Sequence, residues 1–202
     1  MNYASIKYCD IANGPGVRTS LFVSGCRVHC KGCFNAETWD FLFGSPFTTD
    51  VEQDILASLA PSYVAGLTVL GGEPFEQENQ RALLPFMRDV RRLYPHKSVW
   101  FFSGYTFEVI AAGRKRCDST DELLSLIDVL VDGPFMEEMH NVSLRFRGST
   151  NQRIIDVRKT LSARFEAQEA GTDPSTVAPV LWRDEEVYST HSMDHDFVGT
   201  RP

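Results

Sequence analysis

The sequence predicts an α/β protein built as an open, partial β/α barrel with parallel strands. Short apolar segments that end in glycine alternate with segments whose apolar residues recur at helical spacing, and such alternation builds βαβ units. In folds of this kind the functional loops gather at the carboxyl ends of the strands. A closed eight-unit barrel needs roughly 250 residues, whereas this chain has 202, so the barrel is expected to be open.

Each predicted element follows from a local pattern. The predicted strands are apolar or β-branched and run into a glycine-containing loop; they cover residues 18–25, 66–75, 97–105 and 128–135. The predicted helices have an apolar face or a Ser, Thr or Asp start; they cover residues 49–60, 77–94, 106–113 and 119–127. Pro85 implies a kink or a later start in the second helix.

The chain is expected to divide after residue 157. Residues 1–157 form the predicted barrel domain, and residues 158–202 form a polar, turn-rich C-terminal extension that is expected to be partly ordered. Within the extension only residues 163–170 have a helical pattern. His191 and His195 are spaced four residues apart, but their polar, unpatterned surroundings are more typical of a solvated face than of a metal site.

Charge and cysteine content restrict the classes of function. The formal net charge of −7 disfavours broad binding to nucleic acids or anionic membranes. The N-terminal segment lacks a signal-peptide pattern, and no apolar run approaches the roughly eighteen residues of a membrane helix. The five cysteines are an odd number, and three of them are clustered, which favours metal chemistry in a reducing interior over a disulfide framework. We therefore expect a cytoplasmic protein without a nucleic-acid or membrane partner.

The clustered cysteines directly follow the first predicted strand. Cys26, Cys30 and Cys33 have C-x3-C-x2-C spacing, one thiolate fewer than the four that usually hold a [4Fe–4S] cluster. Such a cluster would leave one iron open to an outside ligand. The alternative is a zinc site of three cysteines and His29, although His29 is adjacent to Cys30 and simultaneous chelation would be awkward. Two further thiols, more typical of buried or incidental cysteines, could in principle supply a fourth ligand: Cys9 and Cys117.

A second motif, GGEP at residues 71–74, follows the second predicted strand. Paired glycines let a backbone approach a ligand closely, and the acid Glu73 would favour an ammonium group over a phosphate. The motif alone is weak, since a simple strand-to-helix turn has the same residues. Together with the cysteine loop it becomes a strong indication of a cofactor site.

With these motifs in this order, the sequence resembles the radical S-adenosylmethionine superfamily. Further segments have the order and spacing of the anaerobic ribonucleotide reductase activating protein family, over about residues 5–157: NGPGVRTSLFVSGC, CKGCFNAETW, GGEPF, SGYTFE, VLVDGPF and RGSTNQRI. The resemblance implies that the amino and carboxylate groups of S-adenosylmethionine chelate the open iron. It also implies that a 5′-deoxyadenosyl radical, formed by one-electron cleavage, abstracts a hydrogen atom from a C-terminal glycine of the large reductase subunit.

The resemblance implies that the cofactors carry the chemistry, with no catalytic side chain beyond them. A flavodoxin- or ferredoxin-like protein would supply the electron. Two other functions stay open: a radical enzyme acting on another glycyl-radical partner or a small molecule, and a non-catalytic zinc-binding interaction module.

The resemblance also implies residue roles. Cys26, Cys30 and Cys33 would ligate iron. The residues expected to lie against S-adenosylmethionine are Gly32, Cys33 and Phe34, and those expected to hold its methionine amino group are Gly71, Gly72 and Glu73. Gly32 and Leu70 stand where the superfamily often has an aromatic residue and a Ser or Thr.

The remaining loops have two interpretations each. Ser103 and Tyr105 could contact the ribose or simply form a turn. Asp132 could reach the ribose hydroxyls or orient Arg18, or be an acid in a strand-terminal turn. Arg18 could offset the cluster's charge or a ligand carboxylate, or face outward. A last group would close the core or face the reductase: Arg147, Asn151 and Gln152.

Overall fold

A seven-stranded mixed sheet organises the part of the chain that the computed structural model describes, residues 1–183. The strands are β1 (Asn2–Asp10), β2 (Val17–Val23), β3 (Ser45–Pro46), β4 (Val64–Gly71), β5 (Ser98–Phe102), β6 (Val129–Asp132) and β7 (Arg153–Asp156), in the spatial order β3-β1-β2-β4-β5-β6-β7. The helices are α1 (Thr49–Leu59), α2 (Gln77–Leu93), α3 (Phe107–Ala111), α4 (Thr120–Ser125) and α5 (Val157–Glu169).

The centre of the sheet confirms the predicted α/β fold. Strands β2, β4, β5 and β6 are parallel neighbours, and they are the four strands predicted from the sequence. The sheet is open, but it is not entirely parallel, because β1, β3 and β7 pair antiparallel at its two sides. The connection from β1 to β2 is only a short glycine-containing turn, whereas a parallel crossover needs about a dozen residues or more. The predicted parallel strands are therefore confirmed, and the antiparallel strands at the two edges are additions that the sequence did not predict.

Helix α2 supplies much of the core on the face of the sheet that packs against the helices, here called the outer face. It begins at Gln77 and continues through Pro85, so the alternative of a later start is wrong. Its buried apolar residues recur at helical spacing, but Leu93, which the sequence also placed on this stripe, is 45% exposed, and the polar residues Asn79 and Gln80 are buried. The buried apolar residues pack with the outward-facing side chains of the central strands in one cluster: Leu83, Leu84, Phe86, Met87 and Val90.

The inner face of the sheet carries a second, aromatic cluster. Trp100 on β5 is 2% exposed and makes edge-to-face contacts with Phe146, at 5.4 Å between ring centroids, and with Trp182, at 5.2 Å. Val129 and Val131 of β6 complete the cluster. These side chains fill the inner face on the amino-terminal side of the strand ends that carry the glycine loops.

The segment after β7 packs against the sheet as far as Trp182. The Trp182 N–H donates to the Ile154 carbonyl at 2.9 Å, and the Val180 N–H donates to the buried Thr160 hydroxyl at 2.9 Å. The division predicted after residue 157 falls in the first turn of α5, and it stays a prediction. His191 and His195 lie outside the described residues. No helix among residues 1–183 is long and apolar enough to cross a membrane.

Candidate functional site

The three clustered cysteines line one open cavity at the carboxyl ends of the parallel strands. Loops after β2, β4, β5 and β6 all contribute to its wall, as expected for a βαβ sheet. The contributing residues include Cys26, Cys30, Cys33, Phe34, Trp39, Gly71, Gly72, Ser103, Gly104, Gly133 and Gln152. Four loops that are distant in sequence therefore meet around three thiols.

Backbone hydrogen bonds hold the cysteine loop against the short 3-10 helix that follows it, Ala36–Trp39. The Gly25 N–H donates to the Thr38 carbonyl at 2.8 Å, and the Cys26 N–H donates to the Trp39 carbonyl at 3.2 Å. Gly25 has a φ of +93°, and a Cβ there would lie 2.3 Å from the Phe41 ring. The turn that begins the loop therefore requires glycine.

The thiols at the inner end of the loop are partly shielded from water. Burial raises the pKa of Cys26 to about 11, although the backbone N–H groups of Val28 and His29 oppose that shift. Burial also raises the pKa of Cys30, against a hydrogen bond from the Phe135 N–H. Metals bind thiolates, so loading this site releases protons.

The geometry does not favour the alternative of a zinc site completed by His29. The His29 ring stacks on Trp39 with ring centroids 4.5 Å apart, and it does not line the cavity. Cys9 is exposed on β1, and the Cys117 thiol contacts Gln80. Within residues 1–183, no three His, Cys, Asp or Glu side chains are close enough to bind one metal ion together. A cluster needs no such convergence, because each thiolate binds a separate iron.

The GGEP motif places bare backbone on the cavity wall. Gly71 has a φ of +107°, which favours glycine, and a Cβ there would lie 2.8 Å from the Phe22 Cα. A Cβ on Gly72 would lie 2.8 Å from the Gly25 carbonyl oxygen and 3.0 Å from that of Thr38. The paired glycines therefore let β4 end directly against the start of the cysteine loop.

Glu73, which the sequence suggested as a ligand for an ammonium group, is fully buried and does not line the cavity. Its carboxylate accepts hydrogen bonds from the Phe75 N–H and the Ser103 hydroxyl at 2.8 Å each, and from the Gly104 N–H at 2.7 Å. Burial raises the pKa of Glu73 to about 7 against these hydrogen bonds. Glu73 therefore ties the loop after β4 to the loop after β5, and Ser103 is its partner as well as part of the cavity wall.

Asp132 also acts within the protein. It is fully buried at the end of β6, and its carboxylate accepts from the Phe107 N–H at 2.7 Å and from the Arg153 guanidinium, with Nε at 2.9 Å. Arg153 in turn binds Glu108 at 2.8 Å. Asp132 thus joins β6 to β7 and to the start of α3, and it does not orient Arg18.

Arg18 lies near the amino-terminal ends of the strands, away from the cysteine loop. It is fully buried, and its guanidinium donates to the Thr68 and Ser98 hydroxyls at 2.7 and 2.8 Å and to the carbonyls of Leu67 and Ser98. The suggestion that Arg18 offsets the charge of the cluster is therefore wrong, and so is the suggestion that it faces outward. It crosslinks β2, β4 and β5.

The other predicted residues fall around the mouth or behind the wall. Phe34 lines the mouth and is 84% exposed. Gly32 has a φ of +73° and sits beside Glu137 and Phe135. Gln152 reaches the cavity, and its side chain also accepts from the Gly148 N–H at 2.8 Å. Arg147 and Asn151, for which the sequence predicted either a place in the core or contact with the reductase, are half-buried. Their side chains donate to the carbonyls of Gln152 and Pro134.

Sequence reasoning missed the most heavily bonded carboxylate near the site, that of Glu76. It accepts hydrogen bonds from Arg27, Tyr105 and Lys115, so Tyr105 points to Glu76. No spacing rule could have revealed this cluster, because the four residues come from separate segments of the chain.

The residues present fit a [4Fe–4S] cluster with S-adenosylmethionine beside it. Three thiols open on one cavity, which supplies the soft donor set that iron–sulfur clusters use. The bare backbone of Gly71 and Gly72 faces the same cavity, and its mouth is open beside Phe34. One cavity can therefore hold both a cluster and a ligand that approaches the fourth iron.

Comparison with known proteins agrees with this geometry. Residues 12–155 match the sequence model of a family described as a 4Fe-4S single cluster domain. Together with the three-cysteine loop on an open, largely parallel sheet, the match defines a radical S-adenosylmethionine type of iron–sulfur protein.

Sequence relatives specify the class further. The chain is 40% identical over 156 residues, covering 76% of this chain and 97% of the relative, to an anaerobic ribonucleoside-triphosphate reductase-activating protein of Vibrio cholerae. It is 36% identical to the protein of that name from Escherichia coli strain K12, covering 78% and 100%. It is 37% identical to that of Enterobacteria phage T4, covering 76% and 93%. The chain belongs to the family of anaerobic ribonucleoside-triphosphate reductase-activating proteins.

Proposed function

We propose that this protein is the activating enzyme of an anaerobic ribonucleoside-triphosphate reductase and generates the glycyl radical of its large subunit. One observation carries the proposal: three thiols and the Gly71–Gly72 backbone line a single open cavity at the carboxyl ends of the parallel strands. The names of the relatives supply the reductase as the partner.

Cys26, Cys30 and Cys33 would each hold one iron of a [4Fe–4S] cluster. When bound, the cluster and S-adenosylmethionine supply the one-electron chemistry by which a hydrogen atom is removed from a glycine Cα. Because the loop offers three thiolates, one iron is left for the amino and carboxylate groups of the cosubstrate. The chain's own residues bind, orient and shield these groups.

We assign direct contact with S-adenosylmethionine to residues on the cavity wall and support to those behind it. Gly71 and Gly72 offer backbone to the methionine end, while Cys33 and Phe34, with Gly32 shaping their turn, lie against the rest. Glu73, Ser103 and Asp132 were predicted to bind the cofactor, but their side chains form hydrogen bonds to other residues of the chain. We assign them the role of positioning the loops. Support for this division comes from their burial and their hydrogen bonds.

The open mouth suits a macromolecular substrate. Phe34 exposes most of its ring there, so a protein loop could cover it while reaching the cavity. Reduction would come from a flavodoxin- or ferredoxin-like donor. Because the five cysteines are free and need a reducing compartment, we place the protein in the cytoplasm.

The test begins with anaerobic reconstitution with iron and sulfide, reduction, and EPR with and without S-adenosylmethionine. We expect about four irons per chain and a [4Fe–4S]⁺ signal that changes shape when the cosubstrate is added. A reductase with its C-terminal glycine should then gain a doublet signal that a glycine-to-alanine reductase does not. A colourless protein that holds one zinc would refute the proposal and favour the interaction module. An intact cluster signal without the doublet would favour another substrate.

A further inference from the structure

Glu76 is a buried carboxylate with four donors around it. Its side chain is 1% exposed. Oε1 accepts from the Arg27 backbone N–H at 3.0 Å and from the Tyr105 hydroxyl at 2.7 Å. Oε2 accepts from Arg27 Nη1 at 2.7 Å and from Lys115 Nζ at 2.8 Å. Every acceptor direction toward the protein is therefore used.

Glu76 and Lys115 are shielded from water, whereas the Arg27 side chain is half exposed. Burial opposes ionisation of Glu76, but the hydrogen bonds from Lys115, Tyr105 and Arg27 outweigh it and hold its pKa below the ordinary value. The Lys115 side chain is only 12% exposed. Charge-assisted hydrogen bonds in such surroundings are strong, and losing one partner leaves the others unpaired.

Two of the three residues that donate to Glu76 come from the loops that build the cavity. Arg27 immediately follows Cys26, Tyr105 follows the Ser103–Gly104 wall, and Glu76 itself caps α2 three residues after Glu73. The Arg27 guanidinium also lies 4.2 Å over the Phe41 ring, which fixes its other side. Glu76 therefore joins the cysteine loop to the segments that follow β4 and β5.

The Arg27 backbone bond is the one that reaches the cluster ligands. It fixes the peptide unit between Cys26 and Arg27, and the backbone N–H groups of the next two residues, Val28 and His29, lower the pKa of the Cys26 thiol against the effect of burial. If the Arg27 N–H turned away from Glu76, those two N–H groups would turn with it. N–H groups aimed at cysteine sulfur are among the features that tune an iron–sulfur cluster.

We propose that Glu76 is a positioning residue for the cluster ligands, which holds the Cys26–Cys30 segment in its ligating conformation through Arg27 before any iron is bound. The inference rests on the proposed iron–sulfur site, and it adds a residue that is not part of the cysteine or GGEP motifs. Glu78 provides a matched comparison. It lies on the surface, with 52% of its side chain exposed, and its carboxylate accepts from the same guanidinium at a distance of 2.7 Å.

The test uses the full chain without iron, so that it does not depend on cluster chemistry. Glu76→Gln, Glu78→Gln and Arg27→Ala are compared with the unmodified protein by hydrogen exchange of the Arg27 amide and by alkylation of each thiol, mapped by mass spectrometry. We expect Glu76→Gln to speed both the Arg27 exchange and the alkylation of Cys26 by about tenfold. Glu78→Gln should change either rate less than about twofold.

The Trp182 amide and the Arg27→Ala variant separate positioning from general loosening. The Trp182 N–H donates to the Ile154 carbonyl of β7 at 2.9 Å, so its exchange rate should stay constant in all variants. Arg27→Ala removes the guanidinium but keeps the backbone N–H at position 27, which can still donate to Glu76, so it should speed Cys26 alkylation less than Glu76→Gln does. After reconstitution, Glu76→Gln should broaden the EPR signal of the reduced cluster, because the loop adopts several conformations.

Three outcomes would overturn the proposal. They are an unchanged Cys26 rate in folded Glu76→Gln protein, an equal effect of Glu78→Gln, and a parallel rise in the exchange rate of the Trp182 amide. Failure of the iron–sulfur assignment itself would be visible separately, as unmodified protein that takes up no iron.

Discussion

Replacing Gly72 by alanine tests whether the GGEP motif acts through backbone proximity. The added Cβ would lie 2.8 Å from the Gly25 carbonyl oxygen and 3.0 Å from those of Val23 and Thr38. Ordinary contact begins near 3.4 Å, so the backbone would have to separate by about half an ångström. Backbone oxygens cannot rotate away as a side chain can.

Two hydrogen bonds would stretch when the backbone separates. The Gly72 N–H donates to the Val23 carbonyl and the Glu73 N–H donates to the Gly25 carbonyl, each at 2.8 Å. Overpacking and the weakening of these bonds together should lower the free energy of unfolding by about 2–4 kcal/mol. The start of the cysteine loop would move with Gly25, so iron uptake should fall as well.

The assay is anaerobic urea unfolding of the iron-free protein, followed by iron analysis after reconstitution. Gly104→Ala is the control, because the three atoms nearest to its Cβ would all belong to the Val28 side chain, at 2.9 to 3.3 Å, and none to the backbone. A side chain can adjust, so this variant should lose about 1 kcal/mol or less. A Gly72→Ala protein within about 0.5 kcal/mol of the unmodified one, with full iron content, would refute the reasoning.

Three further predictions concern the ligands, the core and pH. Cys30→Ser should abolish cluster assembly, measured as iron and sulfide content, while Cys117→Ser should keep it; full content in Cys30→Ser would contradict the ligand assignment. Arg18→Met should lower the free energy of unfolding by about 2–4 kcal/mol, because the buried Thr68, Ser98 and Leu67 oxygens lose their donor; a urea midpoint unchanged from the unmodified protein would contradict that. The hydrogen bond from Arg153 lowers the pKa of Glu108 to about 2, so the stabilisation is present above pH 4.5 and is lost as pH falls toward 2. Glu108→Gln should therefore be less stable at pH 6, by under about 1 kcal/mol because the pair is half exposed, and the difference from the unmodified protein in urea melts should shrink below pH 4.5 and be lost only at about pH 2 or below.

The sequence was sufficient for the elements with strong local patterns. The parallel strands are largely apolar and end in, or are followed within two residues by, a glycine, so their positions could be predicted to within a few residues. Strand β1 has no such signal, since Ser5 and Lys7 are exposed and Ile6 is only half-buried. Its place is determined by pairing with β2. Strand β7 is four residues long, and its antiparallel direction depends on contacts with β6.

The candidate site likewise has a part that the sequence could predict and a part that it could not. The cysteine loop and the paired glycines are contiguous in sequence, so spacing alone was enough to suggest that they act together. Whether a given acid faces the cavity depends on donors that are distant in sequence. Glu73 faces Ser103 and Gly104, and Asp132 faces Arg153. Their burial could not be inferred from a motif, because the motif does not specify which neighbouring loop supplies the hydrogen bonds.

The aromatic cluster on the inner face of the sheet bears on the order in which ligands enter and leave the cavity. Trp100 packs with Phe146 and Trp182 on the amino-terminal side of the cavity, so the thiols and the Gly71–Gly72 edge are approached from the side where Phe34 is exposed. If the proposed protein partner binds over Phe34, it would cover that approach. A small ligand beside the thiols would then enter before the partner arrives, and its fragments would leave after the partner has withdrawn. Turnover would be ordered by access, with the largest participant last in and first out.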